Sequence, residues 1–171
     1  MLSRRRVSLT AAAALVAVVL AVAPACADEA GTSLDPDSAV VEYRFTDASV
    51  PPEFHRSYTL TVREGEAAIV VDSYGDVLDE ATATLDDAEW TALLDRAESV
   101  GDVGGEGGDD CSGGTARALR LTDADHPEGD PALDVSVSVC GGDGGAGADA
   151  LEQVVDPVLD RFDMASLLET G

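Results

Sequence analysis

His55, Arg56 and Glu53 follow a Pro51-Pro52 pair, and Tyr58 and Tyr74 fall within the same β-patterned stretch, Val50 to Leu78. An imidazole beside a guanidinium and a carboxylate could move a proton or grip an anion. A histidine acting as a general base also needs an orienting partner and a substrate within hydrogen-bond reach. The chain has no G-x-S-x-G, no third histidine and no unpaired reactive cysteine to complete a nucleophile constellation. Binding suits these residue types better. Tyr and Arg dominate interface hot spots, and two prolines hold a backbone extended at low entropic cost. His55, Arg56, Tyr74 and Glu53 are therefore the candidate binding residues, with an enzyme using His55 as an alternative. His126, between Asp125 and Pro127, reads as an exposed loop residue.

Metal and cofactor chemistry find little footing. Cys111 and Cys140 lack a C-x-x-C spacing and a nearby His, so they cannot complete a zinc site. Gly144 to Glu152 matches one calcium nonapeptide, but a single copy cannot build a stacked calcium roll. Glu106, Asp109, Asp110 and Asp143 lie on glycine-rich loops, where carboxylates either gather calcium weakly or stand solvated; the sequence leaves this open. No cofactor is implied.

The elements that must position the candidates read as follows. Val41, Tyr43 and Phe45 alternate with Glu42 and Arg44, predicting a half-buried strand. Tyr58, Leu60 and Val62 share one face of a second strand, which turns at Gly65 into a third, Ala68 to Tyr74. Val77 to Thr84 predicts a weak fourth strand at an edge, because Asp79 and Glu80 interrupt it. Asp86 with Glu89 forms a capping box, and Leu85 can staple onto Trp90. Trp90, Leu93, Leu94, Ala97 and Val100 then make one apolar helical stripe that Gly101 ends. Thr115 to Thr122 and Leu133 to Val139 predict an antiparallel hairpin. A second helix covers Ala148 to Phe162, with a kink or split near Gln153 to Asp156 caused by Pro157. Met164 to Leu168 adds a final apolar turn. The fold class is α+β: a mostly antiparallel sheet of five or six strands, two helices on one face and one disulfide.

Composition bounds the setting. Arg4 to Arg6, the apolar run Leu9 to Val22 and the small residues Ala23 to Ala27 predict a signal peptide over 1–27. Cleavage before Asp28 and lipidation at Cys26 both fit. Residues 28–38 read as a flexible tether, and 39–171 as one domain. The chain carries net −24. Without the signal, seven arginines face 34 acids, net −27. Such a surface repels nucleic acid and anionic headgroups, so the only expected membrane link is a lipid at Cys26. Export leaves Cys111 and Cys140 as an even pair in an oxidising compartment. A bridge there closes about 30 residues and contributes about 3–4 kcal/mol.

The blocks SVPPEFHRSYTLTV, VVDSYGDVL, CSGG and CGG, between residues 49 and 142, resemble a group of uncharacterised exported bacterial proteins. That resemblance implies export and carries over no catalytic residue. The order of elements is also similar to emfourin, a small proteinaceous inhibitor of thermolysin-like metallopeptidases, although the cysteine pair and long glycine loops depart from it. The expected function is a non-catalytic binding module of the bacterial cell envelope, secreted or lipid-anchored outside the cytoplasmic membrane, with an envelope or secreted protein as partner. A secreted peptidase inhibitor is the alternative drawn from the second likeness.

Overall fold

The computed structural model describes residues 34–101, 103, 113–140 and 145–169. Six strands form a single sheet: β1 (Ala39–Thr46), β2 (Ser57–Arg63), β3 (Glu66–Ser73), β4 (Asp76–Thr84), β5 (Thr115–Asp123) and β6 (Leu133–Val139). Every pairing is antiparallel, in the order β4-β3-β2-β1-β5-β6. Three helices accompany it: α1 (Asp87–Ser99), α2 (Ala146–Leu159) and α3 (Met164–Glu169).

Period-two alternation sets the register. One continuous row crosses the sheet as Ala81, Ile69, Leu60, Tyr43, Leu119 and Val135. A second row runs through Ala83, Ala67, Val62, Val41, Leu121 and Leu133. A one-residue slip would turn both rows out to water, so the apolar pattern specifies this pairing and no neighbouring one. The rows pack with Trp90, Leu93 and Ala97 of α1, with Leu151, Val154, Val155 and Val158 of α2, and with Leu167 of α3. Each fully buried Leu, Ile or Val contributes about 1.5–3 kcal/mol of transfer free energy. The opposite face carries the other alternation, including exposed Glu42 and Arg120.

The expected capping box is present. The Glu89 amide donates to the Asp86 carboxylate at 2.9 Å, and the Asp86 amide donates to the Glu89 carboxylate at 2.9 Å. Trp90 is a core residue, and its indole N–H donates to the Pro36 carbonyl at 3.2 Å. Leu34 packs against the same core, so residues 34–38, at the end of the expected tether, are docked on the domain. Val77 to Thr84 is a full edge strand.

Two expectations are corrected. Among the described residues there are three helices, because Met164–Glu169 forms a helix of its own. Six residues are too few for a helical period to be read from sequence. Nor does Pro157 split the second helix near Gln153 to Asp156, since α2 runs as one element from Ala146 to Leu159. Pro157 sits in its last turn, where only the Gln153 carbonyl loses a ladder partner. Next to it, the Arg96 Nε–H donates to the Val154 carbonyl at 3.0 Å, tying α1 to α2.

Cys140 directly follows β6. Cys111 lies outside the described residues, as do Cys26, the signal segment, the first part of the tether, Glu106, Asp109, Asp110 and Asp143. Among the described residues, no helix is long and apolar enough to cross a membrane.

Candidate binding surface

Residues 47–56 connect β1 to β2 across one end of the sheet, and side chains from beneath hold them in shape. The Asp47 carboxylate accepts the Ala48 amide at 2.7 Å and the Arg56 amide at 3.0 Å, bracketing the segment at both ends. The Asp47 amide in turn donates to Ser57 Oγ at 3.0 Å. Pro51 and Pro52 begin a tight turn, with the Phe54 amide on the Pro51 carbonyl at 2.9 Å and the His55 amide on the Pro52 carbonyl at 3.3 Å. Ser49 and Pro51 to Phe54 are exposed on its outer side.

The turn from β3 to β4 meets this segment. It is a two-residue hairpin loop with Tyr74 at φ 53° and Gly75 at φ 94°. Two positive φ values match the right-handed twist of the flanking strands. Glycine adopts that backbone freely, whereas tyrosine there costs about 1–2 kcal/mol. Three contacts hold Tyr74 in place. Its ring stacks on His55 at 3.9 Å between centroids and 22° between planes. Its hydroxyl donates to the Val50 carbonyl at 2.6 Å, and its amide donates to His55 Nδ1 at 3.3 Å. Ser73 adds a hydroxyl bond to the Pro52 carbonyl at 2.8 Å.

His55 is buried at 4% exposure beneath Tyr74. Because Nδ1 accepts the Tyr74 amide, the hydrogen-bond network assigns the proton of the neutral ring to Nε2, 3.3 Å from Ser57 Oγ. Ser57 Oγ then accepts from both His55 and Asp47 and is itself fully buried. This runs opposite to nucleophile activation, where imidazole accepts the serine proton in reach of a substrate. The pair links the Asp47 amide to the Tyr74 amide through the imidazole. Arg56 also points its donors inward: Nε–H reaches the Leu168 carbonyl of α3 at 3.2 Å, and a terminal nitrogen reaches the His55 carbonyl at 2.8 Å. Glu53 is exposed beside them.

The structure thus brings His55 and Tyr74 into contact, leaves Glu53 outward and commits Arg56 to the C-terminal helix. Sequence reasoning grouped Val50 to Tyr58 with the Ser73-Tyr74-Gly75 turn but did not single out Asp47 and Asp72, which with Ser57 and Ser73 organise this end. Asp72 accepts the Gly75 amide at 2.9 Å and pairs with Arg44 at 3.4 Å. Short Asp and Ser side chains beside turns were the available signal. Among the described residues, the exposed large hydrophobics are Phe54 at 68%, Tyr74 at 57% and Val77 at 62%, all at this end.

Other polar clusters lie elsewhere. Arg117 donates to Glu152 at 2.8 Å and to Thr115, and stands over the Phe45 ring at 4.9 Å. Tyr43 and Tyr58 lie beside it with ring centroids 6.1 Å apart. Burial first, and then nearby negative charge, pushes the Tyr58 phenol up to about 12. A cavity of about 300 Å³ between α1 and α2 is lined by Leu85, Ala92, Arg96 and Val158. Another of about 710 Å³ borders His126 and Asp130. Leu85 and His126 both belong to the sheet end away from Tyr74.

His126 is exposed, as its sequence context suggested, and Nδ1 lies 2.9 Å from an Asp123 carboxylate oxygen. That hydrogen bond, followed by the attraction of the same carboxylate, raises the His126 pKa above the ordinary histidine value and lowers that of Asp123. His126 should therefore hold its proton to higher pH than a free histidine. In an NMR pH titration, Asp123→Asn should bring its midpoint down; an unchanged midpoint would refute the pairing in solution.

A search against protein-family models finds no match for this chain, and a search of curated proteins finds none either.

Proposed function

We propose that this chain is an exported, non-catalytic binding module of the bacterial cell envelope, holding a protein partner on the surface formed by Phe54, Tyr74, Val77 and Glu53. One observation carries the reading. A tyrosine occupies a strained left-handed position that glycine would fill at no cost, and it leaves more than half of its surface in water. Retained strain of this kind marks positions where a side chain is needed for more than folding. His55, Arg56 and Ser57 serve that surface from below. The reading includes a Cys111–Cys140 disulfide and a mature chain that begins at a lipidated Cys26 or at Asp28, which mass spectrometry of the processed protein distinguishes.

The test is a photo-crosslinking amino acid placed at Phe54 in intact cells, with one at Thr91 on exposed α1 as the control. A discrete adduct from position 54, absent from 91 and lost in Tyr74→Ala, supports the surface. Adducts that ignore Tyr74, or none from position 54, overturn it. With the captured partner purified, Tyr74→Ala should weaken binding at least tenfold, about 1.4 kcal/mol.

A secreted peptidase inhibitor is the second reading. The observation in its favour is the exposed Ser49–Phe54 segment braced by Asp47, Ser73 and Tyr74. Such preorganisation lowers the ordering cost of binding. If the adduct contains a peptidase whose activity the pure chain blocks, this second reading holds.

A further inference from the structure

The two outer strands of the sheet are built differently. β4 is a guarded edge. It carries Asp76, Asp79 and Glu80; its pairing with β3 shifts register at Val71/Asp72; and the Asp79 carboxylate accepts the Glu80 amide at 2.8 Å. Charges and irregularities of this kind keep an edge from pairing with another strand. Full-length antiparallel pairing of β4 with its own copy would centre on Glu80 and set two glutamates face to face, which is unfavourable.

β6 lacks the register shift and the run of acids. Its sequence, LDVSVSV, contains one acid, no proline and no lysine. Asp134 is already engaged by Arg120 at 3.6 Å on the neighbouring strand. Among the described residues, no hydrogen bond reaches the outer edge of β6. Its core-facing Leu133, Val135 and Val139 are only partly buried although they pack on the core. Among the described residues, the apolar layer continues to this edge without closing there.

The geometry points to β6 as the strand by which two copies of this chain pair into one twelve-stranded sheet. The occupant is a second copy because the strand is self-complementary. Antiparallel pairing that uses all seven residues centres on Ser136. It sets Leu133 opposite Val139 and Val135 opposite Val137 on the core face, with Asp134 opposite Ser138 and Ser136 opposite itself on the other. Apolar meets apolar on one face, and no like charges meet on the other. The two Asp134 side chains are four residues apart along the strand direction, roughly 13 Å at ~3.3 Å per residue. That exceeds the screening length of about 8 Å at physiological salt, so the one acid of each β6 does not oppose its copy at the seam.

Sedimentation of the full mature chain tests the pairing. The expected mass is that of two copies at micromolar concentration and above. Ser136→Glu places two carboxylates against each other on the two-fold axis; it should raise the dimer dissociation constant at least tenfold. Ser136 is exposed, so the melting temperature of the dilute monomer should barely move, which separates lost pairing from lost folding. Ser136→Cys should cross-link to a covalent dimer under mild oxidation, whereas Thr82→Cys on β4, with the same native cysteines present, should not. A monomer at every concentration overturns the inference. So does a dimer indifferent to Ser136→Glu, or cross-linking through position 82 instead.

Discussion

Trp90→Ala should lower the unfolding free energy by about 3–5 kcal/mol, the usual loss for a truncated core aromatic. The ring is 3% exposed and lies in the cluster that joins α1 to the sheet. Its removal leaves a cavity at the first turn of α1, where Leu85 and the capping box fix how the chain enters the helix. It also leaves the Pro36 carbonyl without its indole donor and loosens residues 34–38. Domains of this size are stable by about 5–15 kcal/mol, so the change removes about a fifth of the total or more. Urea denaturation followed by circular dichroism should show the midpoint falling. Trp90→Phe separates the causes: it keeps most of the packing, loses the N–H and should cost about 1–2 kcal/mol. Equal losses in the two variants would mean that the cavity contributes nothing.

His55→Ala should cost about 2–3 kcal/mol, and its partner Tyr74 supplies the diagnosis. The substitution removes a stacked ring worth about 0.5–1.5 kcal/mol. It also strips the Tyr74 amide and Ser57 Oγ of a partner in a largely buried setting, a loss of about 1–3 kcal/mol when such a group stays unsatisfied. With His55 present, Tyr74→Gly trades relief of left-handed strain against the lost stack and the lost bond to Val50, so stability should fall. With His55 replaced, the stack is already gone and the strain remains. Tyr74→Gly should then be neutral or stabilising. The double-mutant cycle should give a coupling of about 1 kcal/mol or more between the two sites. Additive effects would show that His55 does not support Tyr74, and would remove the basis for reading Tyr74 as a deliberately presented side chain.

Sequence legibility tracked sequence distance. Val41 and Tyr43, or Leu133 to Val139, announce their strands through alternation, since burial on one face is a local pattern. The Asp86–Glu89 box announces its helix for the same reason. Tyr74 could be placed in a turn from its neighbouring glycine, but not in a left-handed conformation, since propensity favours Gly, Asn or Asp there. Ser57 reads as a residue of the solvent face, and so it would be on a bare strand; residues 47–55 fold across that end and bury it. Arg56 offered a free cation on an acidic chain. One of its two acceptors, the Leu168 carbonyl, lies 112 positions away on a helix too short to show a period. The candidates share one end of the sheet, but their contacts were not legible, because those depend on which backbone groups a distant segment delivers.

The central place of β1 has a kinetic consequence. One edge of β1 pairs with β2, so Val41 meets Val62, and the meander from β1 to β4 needs only short loops to close. The other edge pairs with β5, so Val41 also meets Leu121, about 80 residues downstream. Contacts at that separation slow folding, because the loop between them must be ordered before the pairing returns any free energy. On a growing chain lengthening at about 5–20 residues per second, those 80 residues take on the order of 4–16 seconds. For that interval the first strand made has one edge open, and each of the two apolar rows lacks the two members that β5 and β6 supply. The chain therefore cannot lock early, and whatever handles it between the emergence of Thr84 and that of Leu121 meets at most four of the six strands, with one side vacant.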